Sequence, residues 1–305
     1  MKLLTLNTHS LVEDDYERKL QDFVAMVLAE KPDVIALQEV SQTMDAPEAD
    51  ALLMTGYVPA QEEIPLRTDN HAARAAALLR QAGIDCSWTW LPVKVGYGCY
   101  DEGLAMISLG RRITHTESFL LSRTDDYANW KTRKVLGVQV EGLTDWFYNV
   151  HMGWWEDEDE PFIVQWKILN LFLHTKPRWA PVWLMGDFNA PAEKRGEGYD
   201  CIENAGWYDT YARAQEKSGA TTLPGDADGW RGGAVEAACR GMRIDQVWCS
   251  MPVTIIASRV LFDGAAYPVI SDHYGVLVET LPGDTCCLEP VTWDDLIPDP
   301  AFDEA

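Results

Sequence analysis

Basic residues are scarce in this chain. Among its 305 residues, 25 Lys and Arg stand against 48 Asp and Glu, a formal net charge of −23 at pH 7. A nucleic-acid binder needs a basic patch to neutralise phosphates, and the average field of an acidic chain repels polyanions. DNA and RNA are therefore disfavoured as substrates, whereas a small phosphorylated metabolite suffers less and a metal ion can screen it. Long apolar runs are missing too. No stretch approaches the ~18 apolar residues of a membrane span, so no membrane partner is expected. The run Leu3–Leu6 behind Lys2 is ended by Asn7 and is too short for a signal peptide. Internal repeats and low-complexity linkers are absent. No CxxC pair occurs among the seven cysteines, whose odd number suits reduced thiols and a cytoplasmic location.

The apolar fraction is 47%, enough for a sizeable core, and Trp is frequent at 13. Short apolar runs rich in β-formers recur at Leu3–Leu6, Val34–Leu37, Leu104–Leu109, Val135–Val140, Trp146–Val150, Val182–Met185, Ile244–Trp248 and Tyr274–Val278. Each is bounded by turn or polar residues, as buried strands are. Three helices lie between them. From Tyr16 to Lys31, Leu20, Phe23, Val24, Val27 and Leu28 form one apolar stripe, stopped by Pro32. Ala72–Ala82 is Ala-rich, and Pro161–His174 opens on a proline suited to a first turn. Strands and helices alternate irregularly, which favours mixed sheets in an α+β fold over strict βαβ units. The acidic run Trp155–Glu160 reads as a solvated loop whose carboxylates suit the start of the third helix. Residues 1–281 read as one domain. Residues 282–305 carry seven acids, four prolines and no base, and read as an acidic tail.

Polar clusters punctuate the strand ends: Asn7-Thr8-His9, Gln38-Glu39, Tyr100-Asp101-Glu102-Gly103, Asn149-Val150-His151, Gly186-Asp187-Phe188-Asn189-Ala190-Pro191, Arg243-Ile244-Asp245 and Ser271-Asp272-His273. Singly most are weak, since a Glu after a strand is usually a loop residue. The run Gly-Asp-Phe-Asn-Ala-Pro is sharper. It sets a carboxylate and an amide two residues apart, facing the same way on an extended chain.

In this order the clusters resemble the endonuclease/exonuclease/phosphatase superfamily, whose members include pancreatic deoxyribonuclease, abasic-site nucleases, neutral sphingomyelinases and inositol polyphosphate 5-phosphatases. The strings LLTLNTHS, DVIALQEV, YDEGLAMIS, NVHMGWW, GDFNAP and SDHYG are similar to a bacterial subgroup that includes maltose 6′-phosphate phosphatase. The resemblance spans Asn7 to His273. It implies a DNase I-like four-layer α/β/β/α sandwich of two mixed β-sheets flanked by helices.

The resemblance also implies roles. Glu39 would hold Mg²⁺ (or Mn²⁺), with Asn7, Asp272 and His9 completing or bordering that site. Asp187 would be the general base, and Asn189 would orient the attacking water or a phosphoryl oxygen. His151 and His273 would donate to the phosphate, steadied by Glu102 and Asp245 respectively, and Tyr100 would touch the phosphate through its hydroxyl. Trp154, Trp155, Trp230 and Arg231 are substrate-binding candidates, because aromatic faces stack on sugar rings and Arg holds hydroxyls or phosphates. Any one of these Trp residues could equally cap the core.

The expected activity is a metal-dependent phosphatase acting on a small phosphorylated sugar, for instance maltose 6′-phosphate. A nuclease or other phosphodiesterase is the alternative. It would need a basic groove, for which Arg111-Arg112 and Lys131–Lys134 are the available residues. A non-enzymatic binding module on the same fold is the third reading.

Overall fold

The computed structural model describes residues 1–61, 63–225 and 241–281. The acidic tail, Trp230, Arg231, Cys239, Cys286 and Cys287 lie outside the described residues.

The first strand, β1 (Lys2–Asn7), pairs in parallel with β2 (Val34–Thr43). Between them runs helix α1 (Tyr16–Glu30). Its buried residues Leu20, Phe23, Val24, Met26 and Val27 repeat at helical spacing, and Lys31 closes it in the left-handed conformation just before Pro32. Helix α2 (His71–Gln81) starts at Asn70, whose side chain accepts from the Ala73 N–H. It is followed by β3 (Cys86–Gly96) and β4 (Tyr100–Leu109). The second half of the chain supplies β5 (Ile113–Leu120), β6 (Lys134–Val140), β7 (Trp146–His151), helix α3 (Phe162–Leu173) and β8 (Val182–Asp187). Helix α4 (Gly198–Asn204), β9 (Tyr208–Asp209), the short α5 (Thr210–Arg213) and β10 (Glu216–Ser218) follow. The strands β11 (Asp245–Cys249), β12 (Ile255–Leu261) and β13 (Gly275–Thr280) complete the described elements.

These strands form two mixed sheets, ordered β10-β12-β13-β1-β2-β4-β3 and β5-β6-β7-β8-β11-β9. Strand alternation sorts the core into three layers. Leu4 and Leu6 of β1 face α1 and α2, while Leu3 faces the other sheet. Phe147, Trp183, Met185 and Val247 meet Leu3 and its neighbours between the sheets, and Tyr148, Val150, Leu184 and Trp248 pack under α3. The result is the expected α/β/β/α sandwich.

Some details differ from the sequence reading. The strand β3 carries Pro92 and alternates Ser87, Trp88, Thr89 and Trp90, so it shows no continuous apolar run. It is an edge strand with a register shift between Pro92 and Lys94, the setting in which a proline is tolerated. The acids of Trp155–Glu160 do not serve the start of α3. Glu160 accepts from the backbone N–H groups of Arg123 and Thr124, and Asp157 and Asp159 hold the Lys131 ammonium. Cys86, Cys99, Cys201 and Cys249 are free thiols. No helix among the described residues is long and apolar enough to cross a membrane.

Candidate functional site

The odd-numbered residues of β1 face the other sheet, so Asn7 follows Leu3 and Thr5 into the space between the layers. By the same alternation β7 sends Asn149 and His151 inward after Phe147, β8 sends Asp187 inward after Trp183 and Met185, and β11 presents Asp245 beside Val247. Strand pairing aligns them: His151 lies opposite Asp187, which lies opposite Asp245. The close fit of β8 against β7 also fixes Gly186. At φ 149° an added Cβ would fall 2.0 Å from the Val150 carbonyl oxygen.

Glu39 breaks the alternation. A regular β2 would turn it outward with Ile35 and Leu37. A register shift between Leu37 and Val40, with Glu39 in the left-handed region at φ 52°, turns its carboxylate back towards Asn7. His9 (φ 48°) and Asn189 (φ 46°) adopt the same uncommon conformation, so local strain gathers at this end of the sandwich.

Asn7 joins the two halves. Its side-chain amide donates to Glu39 Oε1 at 2.9 Å and to Asp187 Oδ2 at 3.2 Å, while its carbonyl oxygen accepts from the His9 N–H. Asp187 is fully buried, and Asn189 N–H donates to its Oδ1 at 2.8 Å. Burial, reinforced by the Asp245 charge and opposed by His273, raises the Asp187 carboxyl to about 7. His273 Nδ1 is 2.9 Å from Asp245 Oδ2, and its Nε2 points towards Asp187 Oδ2 at 3.9 Å. Burial works against a charged His273, but Asp245 outweighs it and carries the ring up to about 10. His151 Nε2 stands 3.6 Å from Asp187 Oδ2 and 4.0 Å from Glu39 Oε1. Burial, then the charges of Arg133 and Lys94, holds His151 neutral, well below the usual histidine range.

The two histidines are thus in opposite states, one a neutral ring and one a cation. Asn189 is anchored through its amide to the Met152 carbonyl. Beneath the site, Gln38 Nε2 donates to Asn149 Oδ1 at 2.6 Å, and Asn149 donates to the carbonyls of Leu37 and Ala105 across the interface between sheets. Sequence reasoning gave Gln38 and Asn149 no role. Their position in the motifs was visible, but their bond across the sheets was not.

Nearer the mouth, His9 Nδ1 lies 2.7 Å from Glu13 Oε1 and 3.9 Å from Asp272 Oδ1, and its Nε2 meets the Tyr97 hydroxyl at 2.9 Å. One donor atom from each of His9, Glu13 and Asp272 lies within 4.8 Å of the others. Two carboxylates there, with Glu39 adjoining, suit a hard divalent cation that prefers oxygen. Burial opposes a charged His9, but the Glu13 hydrogen bond and the charges of Asp272 and Glu39 raise it to about 9. A cation would relieve the crowding of carboxylates that now holds Glu39 above its ordinary range, chiefly through burial and then Glu102 and Asp272. Glu13 was not among the predicted residues. Its i, i+4 spacing from His9 was the available signal.

Other predicted residues sit differently. Glu102 pairs with Lys94 at 3.0 Å instead of with His151, whose ring nitrogens make no hydrogen bond among the described residues. The two still border one small cavity, with Lys94 and Arg133. Tyr100 begins β4 beside Cys99 and Asp69, and no hydrogen bond joins its hydroxyl to the other candidates among the described residues. Trp154 packs on Trp130 at a ring separation of 5.7 Å, and Trp155 packs on Phe162 beside α3. Two of the bases proposed for a groove are engaged by acids: Arg112 by Glu141, and Lys131 by Asp157 and Asp159.

The arrangement can do three things chemically. It can hold a hard cation at its mouth, accept a proton at a buried carboxylate, and present two imidazoles of different charge to an anion.

The profile of the Endonuclease/Exonuclease/phosphatase family matches residues 4–273. No curated protein matches the sequence. Among solved structures, an endonuclease/exonuclease/phosphatase family protein from Leptotrichia buccalis is 25% identical with a TM-score of 0.78, covering 92% of this chain and 99% of that one. A mannosyl-6-phosphatase from Bacteroides thetaiotaomicron is 18% identical with a TM-score of 0.59, covering 92% and 99%. TDP2 from Caenorhabditis elegans is 15% identical with a TM-score of 0.56, covering 91% and 73%. With its family profile matched from the first strand to the last histidine of the site, this chain belongs to the Endonuclease/Exonuclease/phosphatase family and is a phosphoesterase by fold and family.

Proposed function

We propose that the chain hydrolyses the phosphomonoester of a small phosphorylated sugar with the help of Mg²⁺, for which Mn²⁺ can substitute. The observation that carries this reading is the placement of Asp187 Oδ2 at 3.2 Å from Asn7, 3.6 Å from His151 and 3.9 Å from His273. One buried carboxylate thereby faces the Glu39 side and both imidazoles at once. Asp187 accepts the proton of the attacking water, because a group raised to about 7 is a competent base near neutrality. Asn189 orients that water. His273, held by Asp245, and the neutral His151 donate to phosphoryl oxygens. Glu39, Glu13 and Asp272 hold the cation, with His9 bordering them, and Asn7 bridges Glu39 to Asp187. The bound cation supplies charge neutralisation on the phosphoryl oxygens.

Support for a small substrate comes from charge: the chain carries −23, and the flanking bases Arg112 and Lys131 are paired with carboxylates. The half-buried Trp154 lies just past His151, where the exposed part of its indole can border a sugar ring. The solved relative titled a mannosyl-6-phosphatase points the same way; a nuclease or other phosphodiesterase is the second reading.

Phosphate release from a panel of hexose and disaccharide phosphates with Mg²⁺, run beside nicking of supercoiled plasmid, separates the two. Turnover of at least one sugar phosphate without nicking is expected. Nicking without release from any sugar phosphate would reverse the assignment.

A further inference from the structure

Among the described residues, Arg133 is a buried cation with no carboxylate partner in hydrogen-bond reach. It lies immediately ahead of β6, and only 3% of it is exposed. Nη1 donates to the carbonyls of Trp130 and Thr132 at 2.8 and 3.1 Å, and Nε is buried with no acceptor. A guanidinium carries five N–H donors and keeps its charge in proteins. Removing it from water is costly unless an anion compensates. The neighbouring cation, Lys94, is already matched by Glu102 at 3.0 Å. Arg133, Lys94, Glu102, Thr132 and His151 line one cavity of about 10 Å³ beside the site. The guanidinium also lies over the Trp154 ring, 5.8 Å from its centroid.

We propose that Arg133 is the specificity-determining residue that receives a non-bridging oxygen of the phosphoryl group, so that the site selects the dianion of a phosphomonoester over the monoanion of a diester. A diester brings one charge and a second ester arm. A monoester brings two charges and leaves all its terminal oxygens open to donors. The mouth is dominated by carboxylates that would hold the metal ion, so a fixed cation set deeper favours the more highly charged ligand. The paired guanidinium N–H groups suit a phosphoryl oxygen better than a lysine would. This selection deepens the phosphomonoesterase reading and rests on it.

The test measures two quantities in wild type and in Arg133→Met. The first is binding of inorganic phosphate by calorimetry at pH 8 with Mg²⁺. The second is kcat/KM for a hexose 6-phosphate against that for its methyl phosphodiester. Phosphate binding should weaken by about 30-fold or more, and the monoester preference should fall at least tenfold, as loss of a charge-assisted contact predicts. Unchanged phosphate binding, or equal losses on both substrates, overturns the proposal even if the wild type proves a sugar phosphatase. Conversely, Arg133-dependent phosphate binding in a wild type that cleaves no sugar phosphate supports Arg133 and removes the substrate reading. Arg133→Lys covers the case in which the neutral variant does not fold. It retains a cation but cannot serve both carbonyls and an anion, so about tenfold weaker phosphate binding is expected, and wild-type binding would overturn the proposal.

Discussion

Two groups of one histidine and two carboxylates sit at the same end of the sandwich, and each brings three donor atoms within 4.8 Å of one another. They are built for different work. In the inner group, Asp187, Asp245 and His273 are buried and tied to fixed partners: His273 to Asp245, and Asp187 to Asn7 and Asn189. In the outer group, His9, Glu13 and Asp272 are half-buried, with the Asp272 side chain 23% exposed. The same number of imidazoles and carboxylates therefore does not define a metal site. A cation in the inner group would have to displace the hydrogen bond that orients His273. In the outer group it would compete with His9 and Lys19 for Glu13, but it would also meet Asp272, the most exposed carboxylate of the two groups.

The sharpest way to break this contrast is to neutralise the inner base. Asp187→Asn should lower kcat by about 10³- to 10⁴-fold, the upper range for general acid–base catalysis. Added Mg²⁺ should not restore it. The same variant has a stability signature. Because the folded Asp187 is raised from 3.8 to about 7, its contribution is full below about 4 and is lost as pH rises through 7. Asp187→Asn should therefore melt increasingly above wild type between pH 4 and pH 8, by differential scanning calorimetry. A wild-type advantage that grows with pH would contradict the buried, raised carboxyl.

The next effect is on orientation. Asp245→Asn should reduce kcat by about 10²- to 10³-fold, because it removes the charge that keeps His273 protonated. It too should be insensitive to Mg²⁺. In the outer group, Glu13→Gln should instead raise the Mg²⁺ concentration for half-maximal rate by about tenfold, and saturating metal should return kcat close to wild type. A Glu13→Gln enzyme whose defect ignores metal would merge the two groups. The smallest change is expected from Tyr97→Phe, which removes the hydroxyl at His9 Nε2. A two- to threefold shift in Mg²⁺ requirement, of the order of one modest hydrogen bond, should be seen in the same titration.

Much of this was legible before any coordinates. Leu3, Thr5 and Asn7 alternate in β1, and Phe147, Asn149 and His151 alternate in β7, so the inward face of each strand could be read at its polar end. The helix over Tyr16–Glu30 followed from its apolar stripe. The strand β3 was hidden because an edge strand with Pro92 and a bulge loses its simple pattern. The expected partner of His151 was misplaced, since Lys94 stands on β3 and takes Glu102 first. Trp230 and Arg231 lie outside the described residues.

The sequence by itself determined which side chains could take part, because a period of two assigns each strand residue to one of two faces and the motifs end their strands in polar groups. The tertiary structure alone decided how they combine. It turned Glu39 back through the bulge in β2, separated the inner group from the outer one, and set the buried Arg133 on one cavity with His151. The physical reason is range. Alternation is set by neighbours along the chain, whereas a carboxylate's partner and its solvent exposure depend on strands brought together from distant parts of the chain.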